Sequence, residues 1–378
     1  MKRPPLSRWF LLPLTVALLT QCRPSPSATP VDPKTRTPPQ PVEAKDKQKG
    51  TTLPQPPVAP PVEAVKKAPA PKRPEFRFVS HPSLTLKKIG SLTQPVQSLA
   101  LHPNCKAVAA GAKNWELARF GSDGKLAWST RKVQVACPAG NRCSEFPRAQ
   151  FLPNDNLVAM MDGDSLRMFS PKGRMLALRG GFLQAVLDFR VSPDGKIVGA
   201  LYPHGLALWR TTGGLLRKVE IPGATSFDFF FRNVDGKTLK SLHVASGDQI
   251  LGFDLEFKER VELHKLDGPV LSLSGSDYLT PKSTYLSDKT LSARPLPPDS
   301  RVFLILPSGE HRMIAVRDGK FMILGPHNQQ TGSPRIVDTW ELAGVTPGAD
   351  PVVAANDKCL AIASGNDVYF LTLPDPLP

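Results

Sequence analysis

The sequence predicts an all-β domain that follows a long proline-rich segment. Two observations carry this prediction. Prolines crowd the region before residue 76, and after it short apolar runs bounded by Gly, Pro, Asn and Asp recur at a regular spacing. Removing the proline-rich part leaves roughly 300 residues, enough for one large core or a repeat array.

The N-terminal residues 1–21 are predicted to be an export signal. A cationic start, MKRPPLSR, precedes the apolar run 9–19. These 11 residues are too few to span a bilayer and are typical of a signal-peptide core. The chain is therefore expected to leave the cytoplasm.

The signal ends in Leu-Thr-Gln-Cys, which resembles the lipobox of bacterial lipoproteins, where a peptidase cuts before a cysteine that is then acylated. Leu19 and Thr20 suit this pattern, whereas a small residue normally stands in place of Gln21. The resemblance implies lipidation (palmitate among the acyl chains) at Cys22, stable membrane attachment and, with Arg23 next, the outer membrane. Ordinary cleavage a few residues later, which would release a soluble protein, is the alternative.

The segment 22–75 is predicted to be a disordered stalk that holds the domain away from the membrane. Fifteen prolines and no aromatic residue occur among the 53 residues that follow Cys22. Such a composition buries too little apolar surface to offset the entropy of ordering. An extended chain of this length reaches at most roughly 160 Å.

The repeats of residues 76–378 are clearest in 186–223, which reads as four strands joined by an S-P-D-G-K turn, a short loop and a Gly-Gly turn. The first turn can be followed along the chain at intervals of 50, 40, 41, 42, 41 and 39 residues. Its members are Asn104, Asn154, Asp194, Asp235, Asp277, Asp318 and Asp357. This spacing predicts seven units, with six as the alternative because prolines interrupt residues 280–300.

This unit resembles a blade of a WD-repeat-like β-propeller, which has four antiparallel strands in roughly 40–45 residues. The resemblance implies a seven-bladed propeller, and the Trp-Asp signature is degenerate, since Arg210 follows Trp209. Only two strands follow Asp357, and residues 84–92 form a strand that belongs to no repeat. Pairing between these two ends is expected to close the ring.

The cysteines other than Cys22 suggest disulfides, because an even number remains in an oxidising compartment. Cys137 and Cys143 would close a short loop within an insertion. Cys105 and Cys359 stand at corresponding turns of the first and last repeats, and a bridge there would join the ends of the ring. Four cysteines permit three pairings, so the connectivity stays open at this point.

Catalytic motifs were sought and none was found: the chain has no G-x-S-x-G, Walker or H-E-x-x-H sequence, and its histidines are scattered. Asp162 and Asp164 are interpreted as a turn. No catalytic residue, metal site or cofactor is predicted, and the protein is interpreted as a non-enzyme. The segment 226–231 is predicted to be a buried inner strand, in which Asp228, like Asp188 in the preceding repeat, bonds neighbouring backbone.

The predicted function is that of a cell-envelope lipoprotein whose propeller is a binding scaffold, monomeric within a complex. Its partner would be an unidentified envelope protein or peptide, bound by loops that follow the second strand of each blade or join blades. The candidate binding residues are Trp115, Arg142, Tyr202 and His204. A propeller hydrolase or oxidoreductase, or a binder of cell-wall polysaccharide, is the alternative. The formal charge of +15 is dispersed, so neither nucleic acid nor another polyanion is an expected partner.

Overall fold

Short β-strands, several of them buried at nearly every position, make up most of the chain that the structure, a computed structural model, describes. The described residues are 75–375 without 131–145, 162–164, 180–185, 235, 256–259, 275–276, 287–291, 307–311, 326–334 and 349–350. Cys22, Cys137, Arg142 and Cys143 lie outside them. No described helix is long and apolar enough to cross a membrane.

The strands are numbered in chain order. They are β1 (Phe76–Thr85), β2 (Lys87–Ser91), β3 (Val96–Leu101), β4 (Ala107–Ala112), β5 (Glu116–Gly121), β6 (Leu126–Thr130), β7 (Arg148–Phe151), β8 (Leu157–Met161), β9 (Ser165–Phe169), β10 (Met175–Arg179), β11 (Asp188–Val191), β12 (Ile197–Tyr202), β13 (Gly205–Arg210), β14 (Leu215–Glu220), β15 (Ala224–Val234), β16 (Lys237–Ser246), β17 (Gln249–Asp254), β18 (Arg260–Lys265), β19 (Ser272–Ser274), β20 (Asp277–Leu279), β21 (Ser283–Leu286), β22 (Ser292–Pro295), β23 (Ser300–Ile305), β24 (Met313–Arg317), β25 (Lys320–Leu324), β26 (Arg335–Ala343), β27 (Val352–Ala355), β28 (Cys359–Ser364) and β29 (Asp367–Thr372). A 3₁₀ turn, η1 (Lys113–Trp115), precedes β5.

These strands form seven sheets, which are the blades of a ring. Blades 1 to 5 are the successive groups β3–β6, β7–β10, β11–β14, β15–β18 and β19–β22. Blade 6 is β23–β26 with β1 added, and blade 7 is β27–β29 with β2 added. The prediction of a seven-bladed, all-β propeller is therefore confirmed, and the six-bladed alternative is wrong.

One turn assignment is wrong. Asp318 lies between β24 and β25, the second and third strands of blade 6, and not in the first turn of that blade. Asp318 and Gly319 both have positive φ angles, of 50° and 71°. Two successive residues of this kind make the tight hairpin that Asp-Gly favours. The same dipeptide thus serves different turns in different blades.

The predicted closure of the ring is confirmed. β2 pairs antiparallel with β29 and completes blade 7 as its outermost strand. Cys105, in the first turn of blade 1, forms a disulfide with Cys359, at the start of β28 in blade 7; their Cα atoms are 5.9 Å apart. The bridge encloses a sequence separation of 254 residues, so it joins the two ends of the repeat array.

The strand β1 was not anticipated. It pairs in parallel with β26 and becomes a fifth strand on the outer edge of blade 6. His81 stacks on Trp340, with ring centroids 4.7 Å apart, and its Nε2 lies 2.9 Å from Oδ1 of Asp338. The guanidinium of Arg317 lies 3.2 Å from the ring centroid of Phe78.

The hydrophobic core is divided among the junctions between blades. Among the described residues, one buried cluster lies between each pair of neighbouring blades. The 3/4 junction, for example, packs Leu206 and Leu208 of β13 against Phe227 and Phe229 of β15. The segment 226–231 is thus part of an inner strand with a buried face, as predicted.

The ring has two faces, which are named here by their connections. The turn face carries the turns between the first and second and between the third and fourth strands of each blade. The loop face carries the turns between the second and third strands and the connections between blades. On the turn face, His102 of blade 1 bonds to Asp155 of blade 2, and Lys240 of blade 4 lies 2.8 Å from Asp194 of blade 3.

Candidate functional site

The central channel contains a cavity with a volume of about 560 Å³. The innermost strand of every blade contributes to its wall. The residues that line it also include members of the first turns, so the cavity extends towards the turn face. These turn residues are Pro103, Pro153, Ser192, Pro193 and Asn356.

The channel has two unlike walls. Apart from Asn356 in a turn, blades 6, 7 and 1 contribute apolar side chains, whereas blades 2 to 5 contribute polar side chains together with Phe151, Val191 and Leu273. The apolar residues are Leu99, Leu101, Phe303, Leu304 and Val353. The polar residues are Gln150, Arg190, Asp228 and Ser272.

The polar wall is organised around Arg190 of β11. Its Nη2 lies 3.3 Å from Oδ2 of Asp188, and its Nε donates a hydrogen bond of 3.3 Å to the carbonyl oxygen of Phe227. The nearby charge of Asp188 raises the pKa of Arg190 and outweighs the burial, which lowers it. The guanidinium is therefore a fixed positive charge at the junction of blades 3 and 4.

Asp188 and Asp228 lie in the neighbouring inner strands β11 and β15. Each carboxylate accepts a hydrogen bond of 2.9 Å from the backbone N–H of the phenylalanine that follows it. The prediction that these carboxylates bond neighbouring backbone is confirmed. The bonds fix the carboxylate orientations, so both acceptors are set before any ligand arrives.

A second guanidinium, that of Arg148, lies on the other side of Asp188. Nη1 of Arg148, on β7, lies 3.8 Å from Oδ1 of Asp188. Burial lowers the pKa of Arg148, and Asp188 partly opposes that effect. Oε1 of Gln150, two residues on, accepts a hydrogen bond of 2.6 Å from the backbone N–H of Val191. Blades 2 and 3 are thus joined by polar contacts within the channel wall.

Two of the predicted binding residues are core residues. Trp115 is 7% exposed and packs in the cluster between blades 1 and 2, and Tyr202 is 6% exposed and packs between blades 2 and 3. Their rings therefore offer little surface to a partner, contrary to the exposed position expected for them. Burial also raises the pKa of Tyr202. The short 3₁₀ turn before β5 directs Trp115 inwards, which its loop position in the sequence does not reveal.

The other two predicted binding residues are separated from the channel. His204 lies in the exposed turn between β12 and β13 on the loop face, and it does not line the cavity. Arg142 lies outside the described residues, as do Asp162 and Asp164. The structure therefore does not bring the four candidates together as one site.

Sequence reasoning missed the channel residues, although a signal for them exists. The inner strands R-A-Q-F, D-F-R-V and S-F-D-F each place polar residues at alternate positions between buried apolar ones. In a sheet with period two, this pattern gives one polar face. Recognising that face as the channel requires knowing which strand of each repeat is innermost. Within the described part of the chain, no group of three or more His, Cys, Asp or Glu side chains could hold a metal ion.

Comparison with solved structures identifies the architecture. The chain is similar to the C-terminal WD40 domain of Sif2, with a TM-score of 0.51 and 13% identity. The match covers 77% of this chain and 99% of that domain. The folded part of this chain, residues 75–375, therefore has the fold of a WD40-like β-propeller. The likeness extends to the fold alone at this identity, and no family model or curated protein matches the sequence.

Proposed function

We propose that the WD40-like propeller is a protein-binding scaffold that holds a segment of an envelope protein in its central channel. The observation that carries this proposal is the channel itself, about 560 Å³ in volume, with an apolar side and a mixed side that presents the charged side chains of Arg190 and Asp228. Binding sites of this kind combine apolar surface with a few oriented polar groups.

The chemistry of the channel suits an inserted peptide loop. Apolar side chains of the loop would lie against Leu99, Phe303 and Val353. Its backbone carbonyl oxygens would accept hydrogen bonds from Arg190, and its N–H groups would donate to Asp228. Both groups are already oriented by bonds within the wall, so little ordering entropy opposes binding.

The similarity to a WD40 domain supports a scaffold role only as an analogy of fold, since one fold hosts many functions. The rest of the proposal comes from the sequence: an export signal, lipidation at Cys22 and a proline-rich stalk. The protein would thus be anchored in the cell envelope, in the outer membrane, and would be a monomer within a complex.

The role of the channel in binding is tested with a variant whose larger side chain occupies it. Ser272 lines the cavity from β19, and Ser272→Arg places a long side chain in the channel without removing any apolar contact. Ser80→Arg, on the exposed part of β1, is the matched control. Each tagged full-length protein is recovered from membranes in mild detergent, and its partners are identified by mass spectrometry.

We expect the partner to be recovered with wild type and Ser80→Arg, and its yield to fall at least about tenfold with Ser272→Arg. Circular dichroism checks that both variants fold. Equal recovery with both folded variants would exclude the channel as the site. Cys22→Ser tests the anchor separately: mass spectrometry should detect acyl chains on Cys22 of wild type and none on Cys22→Ser, and an unacylated wild type would contradict lipidation.

A further inference from the structure

Exposed apolar side chains recur at one position of the blades. The fourth strand of blades 1, 2, 3, 4 and 6 has a large exposed apolar residue in its first two positions, at the end of the strand that lies on the turn face. Leu239, near the start of β16, adds another on the same face. These residues are named the apolar rim: Leu126, Met175, Leu176, Leu215, Leu216, Leu239, Val261 and Ile336.

The position of the rim in the fold makes it a flat feature. The turns between the third and fourth strands all lie on the turn face, because neighbouring strands of each blade are antiparallel. The rim therefore follows the edge of one side of a disc. A compact partner could contact two or three adjacent blades, whereas a planar surface can contact all of them together.

Basic residues accompany the rim on the turn face, in the turns between the third and fourth strands and in those between the first and second strands. Exposed Lys or Arg side chains lie next to it in blades 1 to 4: Lys125, Lys172, Arg174, Lys196, Arg210 and Lys237. Several acidic residues of these turns already have cationic or histidine partners. Asp123 pairs with Lys125, and Asp194 pairs with Lys240. Alternating apolar and basic side chains suit the headgroup region of an anionic bilayer.

The described chain also begins on this face. The backbone N–H of Arg335 donates a hydrogen bond to the carbonyl oxygen of Glu75, so Glu75 lies at the start of β26, where the turn face is. The residues that precede it, including Cys22, are thus connected to the protein at the same face as the rim. A tether attached there favours contact of this face with the surface that holds the tether.

We propose that the apolar rim and its basic residues rest on an anionic lipid bilayer, with the turn face of the propeller towards the membrane, so that the segment 22–75 is a slack tether and not the spacer expected from its composition. The contact adds a second attachment to that of any acyl chain. None of the rim residues, and none of the basic residues beside them, lines the channel. Apolar tips enter the boundary between headgroups and acyl chains, and the Lys and Arg side chains lie among lipid phosphates.

The test uses the exported chain, residues 22–378, carrying Cys22→Ser so that no acyl chain contributes. Binding is measured by co-sedimentation with vesicles of phosphatidylglycerol and phosphatidylcholine in equal parts, and with vesicles of phosphatidylcholine alone. The rim variant combines Leu126→Ser, Met175→Ser, Leu215→Ser and Val261→Ser. The matched control combines Leu187→Ser and Leu271→Ser, two exposed leucines next to β11 and β19 on the loop face.

We expect binding to the anionic vesicles that weakens with added salt, and weaker binding to phosphatidylcholine alone. The rim variant should lose affinity about tenfold or more, and the loop-face control should bind like wild type. Ser272→Arg should keep its vesicle binding, which separates this contact from the channel.

Equal binding by the rim and loop-face variants would overturn the proposal, as would absence of binding to anionic vesicles. A wild-type dimer in light scattering that the rim variant converts to a monomer, without vesicle binding, would assign the rim to a second copy of the chain. That result would also overturn the lipid contact.

Discussion

Two neighbouring strands at the start of the described chain, β1 and β2, are attached to the ring in different ways. β2 completes blade 7 with antiparallel pairing, and Ile89 is buried at the junction of blades 7 and 1. β1 adds to a blade that already has four strands, with parallel pairing and mostly exposed or half-buried side chains. One residue, Leu86, separates the two strands.

The difference shows that pairing with a sheet edge has two separate roles. β2 fills a place that the C-terminal strands leave open, so the ring is incomplete without it, and the disulfide between Cys105 and Cys359 secures the same blade. β1 covers an edge that would otherwise be exposed. Stability should therefore depend strongly on β2 and weakly on β1.

The largest expected effect comes from shortening a buried side chain in β2, and the same change at a half-buried side chain in β1 is the comparison. Ile89→Ala removes a side chain that is 3% exposed and should lower the free energy of unfolding by about 2–5 kcal/mol. Phe78→Ala in β1 removes a half-buried ring and should cost about 1 kcal/mol. Chemical denaturation monitored by circular dichroism gives both values. A greater loss for Phe78→Ala would reverse the proposed roles of the two strands.

An intermediate effect is expected from removing the disulfide at blade 7. The double variant Cys105→Ala with Cys359→Ala should lose about 2–4 kcal/mol of unfolding free energy, because the bridge restricts the unfolded chain over a long loop. Denaturation with and without a reducing agent measures it. The reductant should lower the stability of wild type and leave the variant unchanged. Equal stability of the two proteins under oxidising conditions would show that β2 closes the ring unaided.

The smallest effect is pH-dependent and concerns the edge of β2. Lys88 Nζ lies 2.8 Å from Oδ2 of Asp367, and Ser91 Oγ donates to Oδ1 at 2.7 Å. The bond from Lys88, followed by that from Ser91, holds the pKa of Asp367 below its ordinary value of 3.8. A carboxyl with a lowered folded-state pKa stabilises the fold above its unfolded pKa, and this contribution is lost as pH falls through the folded value.

Asp367→Asn should therefore lower the melting temperature slightly near neutral pH, since the pair is partly exposed. The difference from wild type should disappear in acid below both pKa values. Melting curves across this pH range test it, with Asp338→Asn in blade 6 as the control on the β1 side. A difference that persists unchanged in acid would mean that the carboxylate charge at Asp367 does not hold β2.

The repeat pattern predicted the blades well because turn chemistry is local. Asn154 and Asp194 mark first turns in the sequence and in the structure alike. Closure by β2 was also predictable, since the last repeat lacks a strand. Asp318 misled because Asp-Gly fits any tight hairpin. The β1 pairing joins residues some 260 positions apart in sequence, and no local pattern predicts such a parallel contact.

The channel was harder to predict than the blades. Its charged wall brings together residues of different repeats, Arg148, Asp188 and Asp228, and their approach depends on the ring geometry. Trp115 and Tyr202 are errors of the opposite kind, because the sequence suggested a binding role for side chains that are buried in the structure. Aromatic residues in short loops suggest recognition, but in this fold the turns are tight enough for the rings to pack between blades.

The parallel pairing of β1 has a mechanical consequence. The chain enters β1 at the turn face, and β1 runs alongside β26 from Phe76 to Thr85. A force that pulls on the preceding residues, directed away from that face, acts along the strand axis. It therefore loads the inter-strand hydrogen bonds in shear, all together, and does not peel them apart one after another. We therefore expect β1, although it adds little to the thermodynamic stability of the ring, to bear the pulling force and to keep that force from reaching β2.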